Sequence, residues 1–139
     1  MQKNKHIFVF GIFAVDLSFY VDKKVKPGET IIAKSSNIGP GGKASNQAIS
    51  ARKLGASTTL ITRLGNDNFN SYAHDIWRRE KLFASTTIDK NLPTGMAGIF
   101  IDDKTGENSV IVDPGASAHL CIDDFYSQKS KMKKGDIFL

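Results

Sequence analysis

The sequence has 139 residues, 40% of them hydrophobic and 24% charged, which excludes a disordered chain and fits one globular domain with a core of its own. Its 19 Lys and Arg against 14 Asp and Glu give a formal charge of +5, with clusters at Lys3 and Lys5 and in "KSKMKK" (129–134). Those clusters carry no interleaved aromatics, so they read as solvated surface and no nucleic-acid partner is expected. No run approaches the roughly 18 apolar residues of a membrane helix, so no membrane partner is expected.

The start, "MQKNKHIFVFGIFAV", mimics a secretory leader, but Asp16 follows at once and no small-residue cleavage site appears. Cys121 is the only cysteine, which rules out an internal disulfide and points to a reducing, cytoplasmic setting. Residues 6–15, "HIFVFGIFAV", form a continuous apolar run that predicts a central parallel strand. "LSFYV" (17–21) continues extended, and "VKPGETIIA" (25–33) predicts a Pro-Gly turn followed by a short strand. "KASNQAISARKLGA" predicts a helix with a small-residue face of Ala44, Ala48, Ile49, Ala51 and Leu54, stopped by Gly55.

"STTLITRLG" (57–65) predicts the next strand, and "DNFNSYAHDIWRREKL" (67–82) a helix capped by Asp67. "ASTTIDK" is a further strand. "GMAGIFID" and "NSVIVDPG" predict a hairpin around the turn "DKTGE". "CIDDFYSQKSKMKKG" predicts a last helix, and "DIFL" the start of another strand. Alternating strands and helices predict an α/β fold with a parallel sheet. The extra strands at 17–33 and 96–112 break that rhythm and predict a separate small sheet. The ending "GDIFL" reads as a buried strand with more chain expected after it, so the sequence is expected to be part of something longer.

The stretch "GPGGKASNQA" (39–48) brings backbone close to a partner. A phosphate-binding loop of the form G-x-x-x-x-G-K-[ST] fails, because Ala44 follows Gly42-Lys43 and position 37 is Asn. Gly39-x-Gly41-x-x-Ala44 matches a dinucleotide fingerprint, yet the segment before it is polar where a buried first strand is required. The third reading is a small polyol. Bare Gly41 and Gly42 let hydroxyls reach peptide N–H groups, and the helix start adds free amides and a positive dipole end. Lys43 supplies a donor, Asn46 a donor and an acceptor, and Asp16, placed just past the first strand, accepts two hydroxyl protons.

"GPGGKASNQAISARKLGASTTLITRLGND" resembles the first signature of the ribokinase-like (PfkB) carbohydrate kinases. "VFGIFAVDLSFYV", "KPGET" and "PTGMAGIFIDDKTGENSVIVDPGAS" resemble that family's opening strand, lid turn and second lid segment, so the likeness covers essentially the whole chain. The resemblance implies a Rossmann-like, mostly parallel sheet with flanking helices and a small β-sheet lid. Residues 1–139 would be the N-terminal portion of that domain, with the C-terminal half missing. It implies sugar contacts at Asp16, Gly41, Gly42, Lys43 and Asn46. Phe100 would cover the sugar ring, and lid strands at about 17–33 and 96–112 would also allow a homodimer. ATP with Mg²⁺, and a monovalent cation, are implied, their sites mostly outside these residues.

Two positions depart from the family pattern. Ala14 stands where an asparagine precedes the substrate aspartate, which counts against ribose as the substrate and leaves a related sugar, a sugar acid or a nucleoside open. The signature "D-T-x-G-A-G-D", which carries the general base and the anion hole, does not occur in the 139 residues. The expectation is a carbohydrate kinase by family whose catalytic residues lie outside this chain, and a 139-residue chain inactive by itself. The alternatives are a truncated sugar-binding or dimerisation module and a dinucleotide-binding domain.

Overall fold

The computed structural model describes residues 5–139. Two four-stranded sheets share the chain. The first holds β1 (His6–Phe10), β4 (Ser57–Gly65), β5 (Phe83–Asp89) and β8 (Ile137–Phe138) in the order β5-β4-β1-β8, all parallel. The second holds β2 (Ala14–Val21), β3 (Ser35–Gly41), β6 (Met96–Asp102) and β7 (Asn108–Asp113) in the order β3-β2-β6-β7. In it β2 runs antiparallel to β3 and parallel to β6, and β7 closes the expected hairpin on β6.

Two faces of the first sheet are covered. Val9, Leu60 and Leu64 point to the side where α1 (Lys43–Lys53) and α2 (Asn68–Arg79) pack, contributing Ala44, Ala48, Ala73, Ile76 and Trp77. Phe10 points to the other side and meets Phe125 of the short α3 (Ile122–Tyr126) edge-on at 5.8 Å. Asp67 caps α2 as expected, accepting from the Asn70 amide at 3.1 Å, and Gly55 follows α1 with a φ of +88°.

Three expectations are corrected. The run 6–15 is not one strand: β1 stops at Phe10 and β2 starts at Ala14 in the other sheet. The break falls at Gly11, where a Cβ would lie 2.7 Å from the Ala44 Cβ, so the glycine admits α1 against the sheet. Residues 29–33 form no strand; the polar Ser35–Gly41 does, because pairing along β2 from Ala14 to Tyr20 satisfies its backbone whatever its side chains. The last helix shrinks to Ile122–Tyr126 and a 3₁₀ turn at Lys129–Lys131. Four lysines in "KSKMKK" repel one another at helical spacing and offer no apolar stripe. No helix among the described residues is long and apolar enough to cross a membrane.

Candidate functional site

The site forms where the chain passes between the two sheets. β2 carries Asp16 on its second turn of alternation, with Gly39 opposite it on β3 and Ala97 opposite it on β6. Asp16 therefore belongs to the small sheet, a correction to its expected place at the end of the first parallel strand. Its carboxylate leans over Gly41: a Cβ built at Gly41 would lie 2.6 Å from Oδ2 and closer still to Oδ1 and Cγ. The missing side chain of Gly41 is the space this carboxylate occupies.

Gly42 is fixed by two constraints. Its φ is +86°, and a Cβ there would lie 2.7 Å from the Phe13 Cα and closer to the Ile12 carbonyl oxygen. It serves as the N-cap of α1 without any side-chain cap, and among the described residues its carbonyl is engaged by the Asn46 amide at 3.0 Å. Lys43 and Asn46 are exposed on the first turn of α1. The register and this turn bring Asp16, Gly41, Gly42 and the α1 start together. Among the described residues nothing donates a hydrogen bond to the Asp16 carboxylate, and burial alone pushes its pKa above the usual carboxylate value of 3.8.

Phe100 stands elsewhere. Strand parity puts it with Phe19, directly opposite in the register and stacked on it at 6.0 Å, on the face of the small sheet away from Asp16. There it lines a cavity of about 370 Å³ with Val21, Val25, Ile31 and Ala33, roofed by the segment 25–33. The residues of β6 on the Asp16 face are Ala97, Ile99 and Ile101. They were missed because parity depends on the β2–β6 register, which no spacing within "MAGIFID" reveals.

Behind the site the body is braced. Phe13 is fully buried and meets Trp77 edge-on at 5.2 Å, and Trp77 Nε1 donates to Ser45 Oγ at 3.1 Å inside the first turn of α1. On the opposite face of β4, Arg63 donates twice to the buried Asp124, at 3.1 and 3.2 Å, and its guanidinium lies 3.9 Å from Asp89. Hydrogen bonds from Asn91, His119 and Leu92 hold the Asp89 carboxyl below its usual range. This cluster ties the 114–124 segment to the sheet.

The chain matches the family model described as pfkB family carbohydrate kinase over residues 4–139. It is 34% identical to the ribokinase of Dictyostelium discoideum over 140 residues, 100% of this chain and 43% of that protein. It is also 34% identical to the deoxyribokinase of Salmonella typhi over 131 residues, 92% of this chain and 42% of that protein. Among solved structures, the ribokinase from Giardia lamblia matches with a TM-score of 0.82 at 27% identity, covering 91% of this chain and 39% of that one. Arabidopsis thaliana ribokinase complexed with ribose and ATP matches with a TM-score of 0.69 at 28% identity, covering 81% and 36%. The chain thus spans about two fifths of the length of the curated relatives it matches.

Proposed function

Because the chain belongs to the pfkB family of carbohydrate kinases, we propose that it forms the sugar-binding side of an ATP-dependent kinase acting on a primary hydroxyl of a ribose-like sugar. The observation that carries this reading is the Asp16 carboxylate, unpartnered among the described residues and leaning over a bare glycine beside the amides of a helix start. A carboxylate with both oxygens free accepts two hydroxyl protons from one polyol. Gly41 leaves room for the ring to approach, and the Gly42–Lys43 backbone offers donors at the positive end of α1. Lys43 and Asn46 supply further contacts from the same turn. Ala97 and Ile99, in place of Phe100, cover the ring from the small sheet, which acts as the lid and keeps water from the reacting hydroxyl.

ATP is the proposed phosphoryl donor, supported by relatives whose structures hold ATP or ADP. Among the described residues no group of three or more His, Cys, Asp or Glu converges as a metal site, so neither Mg²⁺ nor a monovalent cation is assigned to a residue here. The general base is likewise assigned to no residue of this chain, since its signature is not in the sequence. A homodimer through the lid would cover the exposed Val110, Ile111 and Val112 of β7, and sedimentation would reveal it. A cytoplasmic location accords with ATP use and the free Cys121. 

Sugar titration of the chain and of Asp16→Ala tests the site: a sugar must bind the first, and the variant must lose at least ten-fold in affinity. A coupled ADP-release assay tests the division of labour. Turnover by the 139 residues alone would refute it, and its absence with sugar binding intact supports a binding module over a complete catalyst.

A further inference from the structure

Asp67 does more than cap α2. The cap needs one bond, from the Asn70 amide to Oδ1 at 3.1 Å. Two further bonds come from Thr94, twenty-seven residues on: its amide donates to Oδ2 at 2.6 Å and its hydroxyl to Oδ1 at 2.9 Å. Thr94 is 1% exposed, and its hydroxyl oxygen also accepts from the Gly65 amide at 3.0 Å. Gly65 carries no side chain where Pro93 and Thr94 lie against it. Burial pushes the Asp67 carboxyl up, but the bonds from Thr94, Asn70 and the Phe69 amide outweigh it and hold the group below 3.8.

Thr94 stands where the chain leaves the body for the small sheet. The carbonyl of the next residue, Gly95, accepts from the Val15 amide at 2.9 Å, and Val15 adjoins Asp16. β6 then begins at Met96, and Ala97 pairs with Asp16 in the β2–β6 register. The end of β6 that flanks Asp16 is thus tied to the body through Thr94. Resting on the sugar-site reading above, we infer that Asp67 is a positioning residue for Asp16: through Thr94 it sets where β6 begins and holds Ala97 beside the carboxylate.

Two variants test this. Asp67→Ser keeps a hydroxyl that caps α2 but is too short to hold both groups of Thr94. Thr94→Val removes the threonine hydroxyl in nearly the same volume, and it carries the test should Asp67→Ser fail to fold. The Asp16 carboxyl is followed against pH by carbon-13 NMR without ligand, its signal identified by its loss in Asp16→Asn. The same samples are titrated with D-ribose, D-arabinose and D-xylose. In both variants the Asp16 midpoint is expected to fall toward 3.8, because a loosened β6 admits water to a carboxyl that burial alone holds above it. The pentose that binds the wild type best is expected to bind about ten-fold more weakly. Thr94→Ser restores the hydroxyl and is expected to return both readouts toward the wild type. A merely structural tie would lower the urea midpoint and leave the Asp16 titration and the sugar affinity of the folded protein unchanged; either readout unchanged in both variants would overturn the proposal. A wild type that binds no pentose, while the Asp16 midpoint still falls in the variants, would overturn the sugar site and leave the positioning of Asp16 standing.

Discussion

Gly41→Ala separates the demands of the site from the demands of the fold. The φ of Gly41 lies outside the left-handed region, so alanine meets no backbone strain. The new Cβ meets Asp16 instead, at 2.6 Å from Oδ2 and closer to Oδ1 and Cγ, against an ordinary contact distance of about 3.4 Å or more. The neighbour is the far end of a side chain with two rotatable bonds, so the carboxylate swings aside by about 1 Å or more at a rotamer cost of about 1 kcal/mol. The narrower unfolded ensemble of alanine returns ~0.4–1 kcal/mol, and the net change in stability is within about 1 kcal/mol of zero. Binding has no such offset: two hydrogen bonds to a displaced carboxylate correspond to a loss of about 100-fold. Thermal unfolding by circular dichroism and sugar titration on the same samples read both quantities. Wild-type affinity in Gly41→Ala would refute the reasoning. So would an equal loss on adding Gly41→Ala to Asp16→Ala, where the effect should vanish because its target is gone.

Gly42→Ala should behave in the opposite way, losing about 2–3 kcal/mol in chemical denaturation, because its clash is with backbone at a φ of +86°. For Asp16 the folded pKa is raised by burial, so the folded state binds the proton more tightly. Stability then falls as pH rises from the usual carboxylate value through the raised one, while sugar affinity climbs over the same window. Asp16→Asn should flatten both profiles, and pH-resolved melting and titration check this. Arg63→Ala takes two hydrogen bonds from the buried Asp124, while Asp89 keeps its bonds from Asn91, Leu92 and His119, and should cost about 3 kcal/mol by urea denaturation. Trp77→Phe leaves the fully buried Ser45 hydroxyl unpaired and should cost about 2 kcal/mol, of which Ser45→Ala in the same chain recovers part; a double variant no more stable than the single one would count against that hydrogen bond.

Much of this was legible because local chemistry and tertiary context agree. β4 at Ser57–Gly65, the Asp67 cap and the hairpin of β6 and β7 each follow from patterning that nothing in the fold opposes. The misses share a cause. "HIFVFGIFAV" gives no sign that Gly11 is where the chain changes sheets, because the reason is Ala44, thirty-three residues on. "SSNIGPG" has Ile38 as its one strand former and is a strand because β2 offers it a ladder. The sequence pointed to Asp16, Gly41, Gly42, Lys43 and Asn46 as neighbours, and the β2–β3 register and the start of α1 do bring them together. Which face each lid residue presents was not legible: the register decides that Phe100 stacks on Phe19 and that Ala97 and Ile99 share a face with Asp16.

The fold also explains why the site can hold an unsatisfied carboxylate. Two of the chain's passages between the sheets close around Phe13. Gly42 lies against its Cα, and Gly95, which would bring a Cβ to 2.7 Å from the Pro114 carbonyl oxygen and 3.2 Å from that of Phe13, lies against the same residue. Ser117 Oγ donates to the Phe13 carbonyl at 3.3 Å, and the ring is locked against Trp77. Ala14 and Asp16 follow within three residues of this packed point, so the carboxylate hangs from a backbone with little freedom to retreat. A mobile strand would relieve the burial by turning Asp16 to solvent. The rigid junction prevents that and keeps the raised pKa in place. In the proposed site, hydroxyl donors arriving from a ligand would supply the hydrogen bonds that the Asp16 carboxylate lacks among the described residues and would bring its pKa back toward the usual value.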